Sequence, residues 1–380
     1  MKIVIVIPTY NEKENITILI AALEKEFLNL PHDAHILVVD GNSPDGTAAV
    51  VRRLSQKYPN VHLLLEKEKA GLGAAYTLGM QHAMREMSAE VVIEMDADLQ
   101  HDPQDVKRLV AEIDQGADVA VGTRYIKGGS IPKNWGPHRK FISVFGNIFA
   151  RLMMGMWNCH DVSSGFRATR VKNFLDKIDL DHLLSKRFGY KLDLYYRLYT
   201  LGAKVAEVPI KFREREAGDS KQEFANISKN DFLDTLQVVT KIRLQKSRRL
   251  LKFAVVGVVG FLVQTVVFEI LLHSQLPFLS LPFNATATAA ECAVVSNFIW
   301  SNFWTFRDRK LTPAQVPAKF LQFNLGSLGS IGAQWVTVRL GTAIFGADFW
   351  PVHISYIIGI GIGMISNYLV YSRVIWRTQP

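Results

Sequence analysis

The stretch at 91–101, "VVIEMDADLQH", joins an aliphatic run to Asp96-Ala97-Asp98 and then Gln100. A short Val/Ile-rich run bounded by polar groups reads as a buried strand that stops abruptly. Two carboxylates one residue apart repel each other and are costly beside a core unless a cation neutralises them. With an amide two residues on, Asp96, Asp98 and Gln100 form a hard, oxygen-rich set suited to Mg²⁺ or Mn²⁺, and no Cys or His cluster accompanies them to favour zinc. A helix cap is the competing reading, because "DPQD" at 102–105 is a good helix start. How the neighbouring strands end decides between the two.

Working outward, 2–7 (KIVIVI), 35–39 (HILVV) and 61–65 (VHLLL) are further apolar runs of strand length, separated by helix-length segments at 13–28, 47–57 and 71–87. Such alternation predicts an α/β domain: a mostly parallel sheet covered by helices on both faces, with ligands at the carboxyl ends of the strands. Three of the four runs pass at once into polar groups, "PTYNE" at 8–12, "DGNSPDGT" at 40–47 and "DADLQ" at 96–100. These converge on one crevice, so the ligand-binding reading prevails over the cap.

The 380 residues leave room for a second domain, and 48% hydrophobic residues is high for a wholly soluble chain. From about 251 the composition changes. Apolar segments near 253–273, 283–305, 319–341 and 353–375 each approach the ~20 residues a bilayer span needs. Lys and Arg cluster between them, in "RLQKSRRLLK" (243–252), "RDRK" (307–310), Lys319, Arg373 and Arg377, while 274–282 and 346–352 contain none. The positive-inside rule then predicts an integral membrane protein of four spans, with the N-terminal domain and both termini cytoplasmic. "SNFIWSNFWTFRD" (296–308) aligns with "SNYLVYSRVIWRT" (366–378) at an offset of 70, which also relates Phe253 to Phe323 and Glu269 to Arg339. The membrane half is therefore expected to be two parallel helical hairpins, with Glu269 and Arg339 paired between them. The opening "MKIVIVIPTYNE" is too short and too β-branched for a signal peptide. Cys159 and Cys292 make neither a disulfide framework nor a zinc site. The net charge of +9 points to anionic lipid or a phosphorylated substrate; with no RNA-binding signature, nucleic acid is the least favoured partner.

"PTYNE", "VVDGNSPDGT", "GLGAAY" (71–76), "MDADLQH", "GTRYIKGG" (122–129), "W…RKFIS…N" (135–147), "DVSSGFR" (161–167) and "REAGDSK" (215–221) follow one another in order. In these motifs the first ~225 residues resemble the dolichyl-phosphate mannosyltransferase group of inverting family 2 glycosyltransferases, which have the GT-A nucleotide-sugar fold. The last ~130 residues are similar to the four-helix GtrA-type membrane domain, on "NFWTFR" and the repeat. The resemblance implies a catalytic domain over 1–225, a juxtamembrane interfacial helix over 226–250 and a membrane domain over 251–380. It also implies a nucleotide pocket lined by Pro8, Tyr10, Glu12 and Asp40, and a metal and sugar-diphosphate site at Asp96, Ala97, Asp98 and Gln100. Where the family commonly has two Asp, this chain has Asp40-Gly41, and the glycine reads as relief of backbone strain.

The activity so implied is transfer of a hexose, mannose from GDP-mannose first, to the phosphate of dolichyl or another polyprenyl phosphate, with inversion at the anomeric carbon. The nearest alternative is UDP-glucose with undecaprenyl phosphate, and a further one is a lipid-linked sugar transporter. The departing nucleoside diphosphate needs a divalent cation, with Lys191, Arg215 and Lys221 as added cations. The lipid phosphate, with a second pKa near ~6, is already ionised and needs no general base. Cations must hold it instead, and Arg124, Arg139 and Ser143 are the candidates. Residues 139–157 pair cations with Phe, Leu and Met along an amphipathic stretch suited to the membrane interface. Self-association into a homo-oligomer is left open.

Overall fold

The computed structural model describes residues 1–213, 223–274, 282–346 and 349–376. The chain divides into two compact units, Met1–Leu244 and Gln245–Pro380.

In the first unit the aliphatic runs form β1 (Lys2–Thr9), β2 (Asp33–Asp40), β3 (Val61–Leu65) and β4 (Val91–Glu94). Between them run α1 (Lys13–Phe27), α2 (Thr47–Lys57) and α3 (Leu72–Arg85), close to the expected bounds. After β4 come α4 (Asp105–Asp114), β5 (Val119–Thr123), α5 (Pro137–Met154), β6 (Arg167–Arg170), α6 (Tyr190–Thr200) and β7 (Val205–Pro209). The seven strands form one sheet in the order β3-β2-β1-β4-β6-β5-β7. All neighbours are parallel except β6, which runs antiparallel to both β4 and β5. Strand order reverses beside β1, between β2 and β4, where open α/β sheets place their ligands.

Alternation along β1 assigns its side chains to two cores. Val4 and Val6 face α3 with Ala75, Tyr76 and Met80. Ile3, Ile5 and Ile7 face Leu19, Val51 and Leu109 from α1, α2 and α4. A Cβ at Gly79 would lie 2.9 Å from Val39, so α3 can seat this closely only with glycine there.

The second unit begins inside a long helix. The stretches expected to separate into an interfacial helix and a first span are one continuous helix, α7 (Glu223–Leu272). Neither Gly nor Pro occurs between Glu223 and Val256, so nothing breaks it. Its early turns carry Val238, Val239 and Ile242 into the first core. The helical region continues as α8 (Pro282–Trp300), α9 (Val316–Phe345) and α10 (Phe349–Val370). Among the described residues two stretches are long and apolar enough to cross a membrane, Asn230–Leu271 and Ile357–Ile375. Exposed Val258, Phe261, Val266, Leu325, Leu328 and Ile357 leave an apolar surface suited to lipid.

The 70-residue offset recurs in the fold. π-Helical turns occupy Ser301–Thr305 and Tyr371–Ile375, and the residues that follow, Phe306 and Trp376, stack at 4.6 Å and 5°. Phe253 and Phe323 join the same aromatic cluster. The expected Glu269–Arg339 pair does not form among the described residues; Glu269 Oε2 lies 3.7 Å from His273 Nδ1, one turn on in the same segment.

Candidate active site

At the ends of β1 and β2 the backbone folds around one carboxylate. Buried Asp40 accepts hydrogen bonds from Thr9 Oγ1 (2.9 Å), Ser43 N (2.9 Å) and Ser43 Oγ (2.7 Å). Ser43 Oγ in turn accepts from the Asn11 N–H at 3.0 Å, where Asn11 has φ 59. Glu12 takes the Asn15 amide at 2.7 Å, and its own N–H reaches Thr47 Oγ1 at 3.2 Å. Pro8 stands beside Val39 in the sheet register, and Tyr10 carries the Lys69 ammonium 3.7 Å from its ring centroid. Pro8, Tyr10, Glu12 and Asp40 are thus drawn together, with Asp40 as the latch between two loops. Gly41 does not relieve strain: its φ lies outside the left-handed region, which Asn42 adopts instead (φ 56). A Cβ at Gly41 would make ordinary contacts at 3.4 Å with Tyr10 Cδ2 and Glu66 Oε2, so packing does not demand the glycine either.

Beyond β4 the polypeptide carries the carboxylates on a tight turn, with Leu99 at φ 62. Asp96 accepts from the Tyr76 hydroxyl at 2.8 Å and from Lys191 Nζ at 3.3 Å. Burial would push its carboxyl up, but Lys191, His101 and the Tyr76 hydrogen bond outweigh that and hold it below the usual carboxylate range. Lys191 threads past Gly165, where a Cβ would lie 2.6 Å from its Cε. Beneath this pair, Arg167 meets Glu94 at 2.6 Å, and Tyr190 OH donates to Glu94 at 3.0 Å. Both ions of that pair are buried, and removing one partner of such a pair typically costs ~3–5 kcal/mol. It binds β4, β6 and α6 under the site.

Asp98 Oδ1 accepts from Gln100 N at 3.2 Å, and Gln100 Nε2 donates to Arg213 O at 3.1 Å, which turns its amide oxygen to the other side. Arg213 also pairs with Asp102. Among the described residues no group of three or more His, Cys, Asp or Glu gathers to hold a metal ion unaided. That fits an ion completed by water and substrate phosphate, as Mg²⁺ usually is, more than a protein-caged metal. The hard oxygens of Asp98 and Gln100 fit this role, whereas Asp96 is already shared with Lys191.

On the other side, Arg124 at the end of β5 grips buried Asp161 through Nε (2.7 Å) and one terminal nitrogen (2.8 Å), which also reaches Ser163 Oγ at 2.7 Å. An aromatic chain connects the two halves. His101 stacks on Phe166 at 4.9 Å and meets Phe212 edge-on at 5.3 Å; Phe212 lies 5.4 Å from the Arg124 guanidinium and 6.1 Å from Trp135, which carries Arg139 at 3.9 Å. Burial pushes the His101 imidazole down to about 4, so it is neutral at pH 7. Ser143 on α5 shares a 2.6 Å hydrogen bond with Tyr125. From Arg124, Ser143 and Ser163 opens a groove of about 530 Å³, walled by Phe141, Phe145, Phe149, Phe188, Phe232 and Leu236. Phe141 and Phe145 remain exposed on α5, whose inner face packs through Asn147, Ala150 and Met154.

The structure thus gathers Pro8, Tyr10, Glu12 and Asp40 at one part of the crevice, and Asp96, Ala97, Asp98, Gln100 and Lys191 at the next. Arg124 and Ser143 line the groove, and Arg139 lies over Trp135. Arg215 and Lys221 fall outside the described residues. Sequence reasoning missed Tyr76, Glu94, His101, Asp161, Arg167 and Phe212. Glu94 could have been found as the one charge inside the run "VVIEM".

Residues 4–176 match the glycosyl transferase family 2 model, and 252–376 the GtrA/DPMS transmembrane domain. A dolichol-phosphate mannosyltransferase of Pyrococcus furiosus is 30% identical over 385 aligned positions, covering 100% of both chains. The chain belongs to glycosyltransferase family 2. It is an enzyme and a membrane protein. Two more relatives align over part of the chain. The polyprenol monophosphomannose synthase of Mycolicibacterium smegmatis is 41% identical over 224 residues, 59% of this chain and 82% of that one. The undecaprenyl-phosphate mannosyltransferase of Micrococcus luteus is 38% identical over 221 residues, 58% and 87% respectively.

Proposed function

We propose that this glycosyltransferase transfers mannose from GDP-mannose to the phosphate of a polyprenyl phosphate, inverting the anomeric carbon. One observation carries the reading beyond the family: Arg124, Ser143 and Ser163 share a groove whose walls are mostly apolar, with five Phe among them. A phosphate on a long isoprenoid matches that polarity, and a soluble sugar acceptor does not. The relatives named for mannosyl transfer to polyprenyl phosphates support the same acceptor and sugar.

In this reading the nucleoside lies along the ends of β1 and β2, and its diphosphate reaches the Asp98 turn. Asp98 and Gln100 would hold Mg²⁺ or Mn²⁺, which supplies charge stabilisation to the leaving diphosphate. Lys191, 3.3 Å from Asp96, adds positive charge at the same place. The acceptor phosphate enters from the groove and one of its oxygens attacks the sugar's anomeric carbon. The bond from that carbon to the diphosphate breaks, and the electron pair leaves with the nucleotide. No proton need be removed, since the phosphate is already ionised near neutral pH. Arg124, held by Asp161, shapes the groove, and Arg139 and Ser143 serve as the acceptor contacts.

The helical unit, in our reading a GtrA-like domain of four spans with both termini cytoplasmic, keeps the enzyme at the surface where its acceptor resides. Purified protein incubated with a panel of nucleotide sugars and lipid phosphates tests the assignment. GDP-mannose with a polyprenyl phosphate should give the fastest transfer. Faster transfer from UDP-glucose would overturn the donor, and transfer to water or a soluble sugar alone would overturn the acceptor.

A further inference from the structure

Glu66 stands where β3 ends, its N–H bonded to Asp40 O at 2.9 Å, and it is only partly exposed. Among the described residues no donor reaches its carboxylate, and Glu66 Oε2 lies 3.4 Å from where a Cβ on Gly41, the residue after Asp40, would stand. Burial and the neighbouring Asp40 charge both raise its carboxyl pKa. A half-buried carboxylate held next to another with no partner is unfavourable in the empty protein. Such an arrangement is explained when a ligand supplies the missing donors.

The sheet order says which part of the ligand arrives there. From β4, where the diphosphate is read, the strand ends run β1, β2, β3, so Glu66 stands three strands away, about 14 Å at ordinary strand spacing. A nucleotide lying along this row presents its base to that end. Asp40 is already occupied by Thr9 and Ser43, whereas Glu66 is open to a ligand.

We infer that Glu66 is the specificity-determining residue for the base, accepting two hydrogen bonds from the Watson–Crick edge of guanine. Guanine offers N1–H and the 2-amino group side by side, matching two carboxylate oxygens. Uracil offers one N–H between two carbonyl oxygens, which a carboxylate repels. Adenine offers one amino group beside an acceptor nitrogen. The inference rests on the GDP-mannose reading and names the group that would enforce it.

Titration calorimetry on the full-length detergent-solubilised enzyme with Mg²⁺ tests it, using GDP, IDP (which lacks the 2-amino group) and UDP. Wild type should bind GDP more tightly than IDP. Glu66→Gln, which turns an amide donor toward the base, should weaken GDP about tenfold, remove the GDP–IDP difference and leave UDP within about twofold. The empty Glu66→Gln protein should melt no lower than wild type, because an unpartnered carboxylate has been neutralised; a structural role for Glu66 would lower its Tm. Unchanged GDP binding, or an equal loss for GDP and UDP, overturns the inference while wild-type transfer from GDP-mannose leaves the donor reading intact. A wild type that prefers UDP overturns both.

Discussion

Gly165 is bare because Lys191 lies across it, and that contact makes a small residue answerable for the position of a charge. Gly165→Ala should displace the ammonium from Asp96 and slow transfer roughly 10- to 100-fold, the range expected of a shift near 1 Å at a reacting centre. GDP binding should change much less; an unaltered kcat would show that Lys191 need not stand there. Asp98→Asn should abolish transfer in a protein that remains folded, and EDTA should do the same to wild type. Full turnover in excess EDTA contradicts the role given to Asp98 and Gln100. Asp161 belongs to the same scale. Burial pushes its carboxyl up, but Arg124 outweighs that and holds it below the ordinary value of 3.8. The stabilisation is present above that ordinary value and lost as pH falls through the depressed one. Asp161→Asn should destabilise the neutral protein by about 3–5 kcal/mol, leaving Arg124 buried without its counter-ion. Denaturant unfolding measures this, and a loss below 1 kcal/mol contradicts the pair's importance. Asp40, Asp96 and Asp98 stood out in sequence as carboxylates ending aliphatic runs. Asp161 and Arg167 bound one of the motifs but gave no sign of their partners, since a buried charge declares its partner only once the strands are assembled.

The elements divide along the same line. β1 to β4 were readable because each is a compact aliphatic run between turns, and their polar ends marked the crevice. β6, "RATR", has no hydrophobic pattern, and its place between β4 and β5 depends on Arg167 finding Glu94. α7 was divided in the reading at a change of hydropathy, which is not a helix breaker. It is also tied to the catalytic unit: Asp234 accepts from Ser185 Oγ at 2.7 Å and from the Gly189 N–H at 2.6 Å. α5 carries Arg139 and Ser143, the proposed acceptor contacts, and the exposed Phe141 and Phe145. Arg139→Ala should raise KM for the lipid phosphate by about tenfold or more, as loss of a charge-assisted phosphate contact does, with calorimetric donor binding unchanged. Weakened donor binding with a normal acceptor KM would place Arg139 at the other phosphate. Phe145→Asp should impair long-chain polyprenyl phosphate far more than a short-chain analogue, because burying each Phe contributes about 1.5–3 kcal/mol only where isoprenoid reaches it. Equal loss with both acceptors would mean that the groove does not receive the lipid tail.

At the scale of the whole molecule, the chain joins an α/β unit, in which the proposed nucleotide-sugar site lies, to a helical unit with a large apolar surface. The matched family models divide it in the same way, over 4–176 and 252–376. The repeat was legible as a 70-residue offset and returns as paired π turns with Phe306 stacked on Trp376. The pairing expected of Glu269 and Arg339 did not follow, because equal depth along two helices does not specify which way each side chain points. The central claim is that one crevice joins a nucleotide-sugar site to a lipid-phosphate groove. A single-turnover reaction in lipid nanodiscs tests it most directly, with GDP-α-mannose, polyprenyl phosphate and Mg²⁺, the lipid product being isolated and its anomeric linkage determined by NMR. The account predicts a β-linked mannosyl phospholipid, formed in one displacement and absent after chelation. An α-linked product, or consumption of the donor with no mannosyl lipid formed, would contradict it.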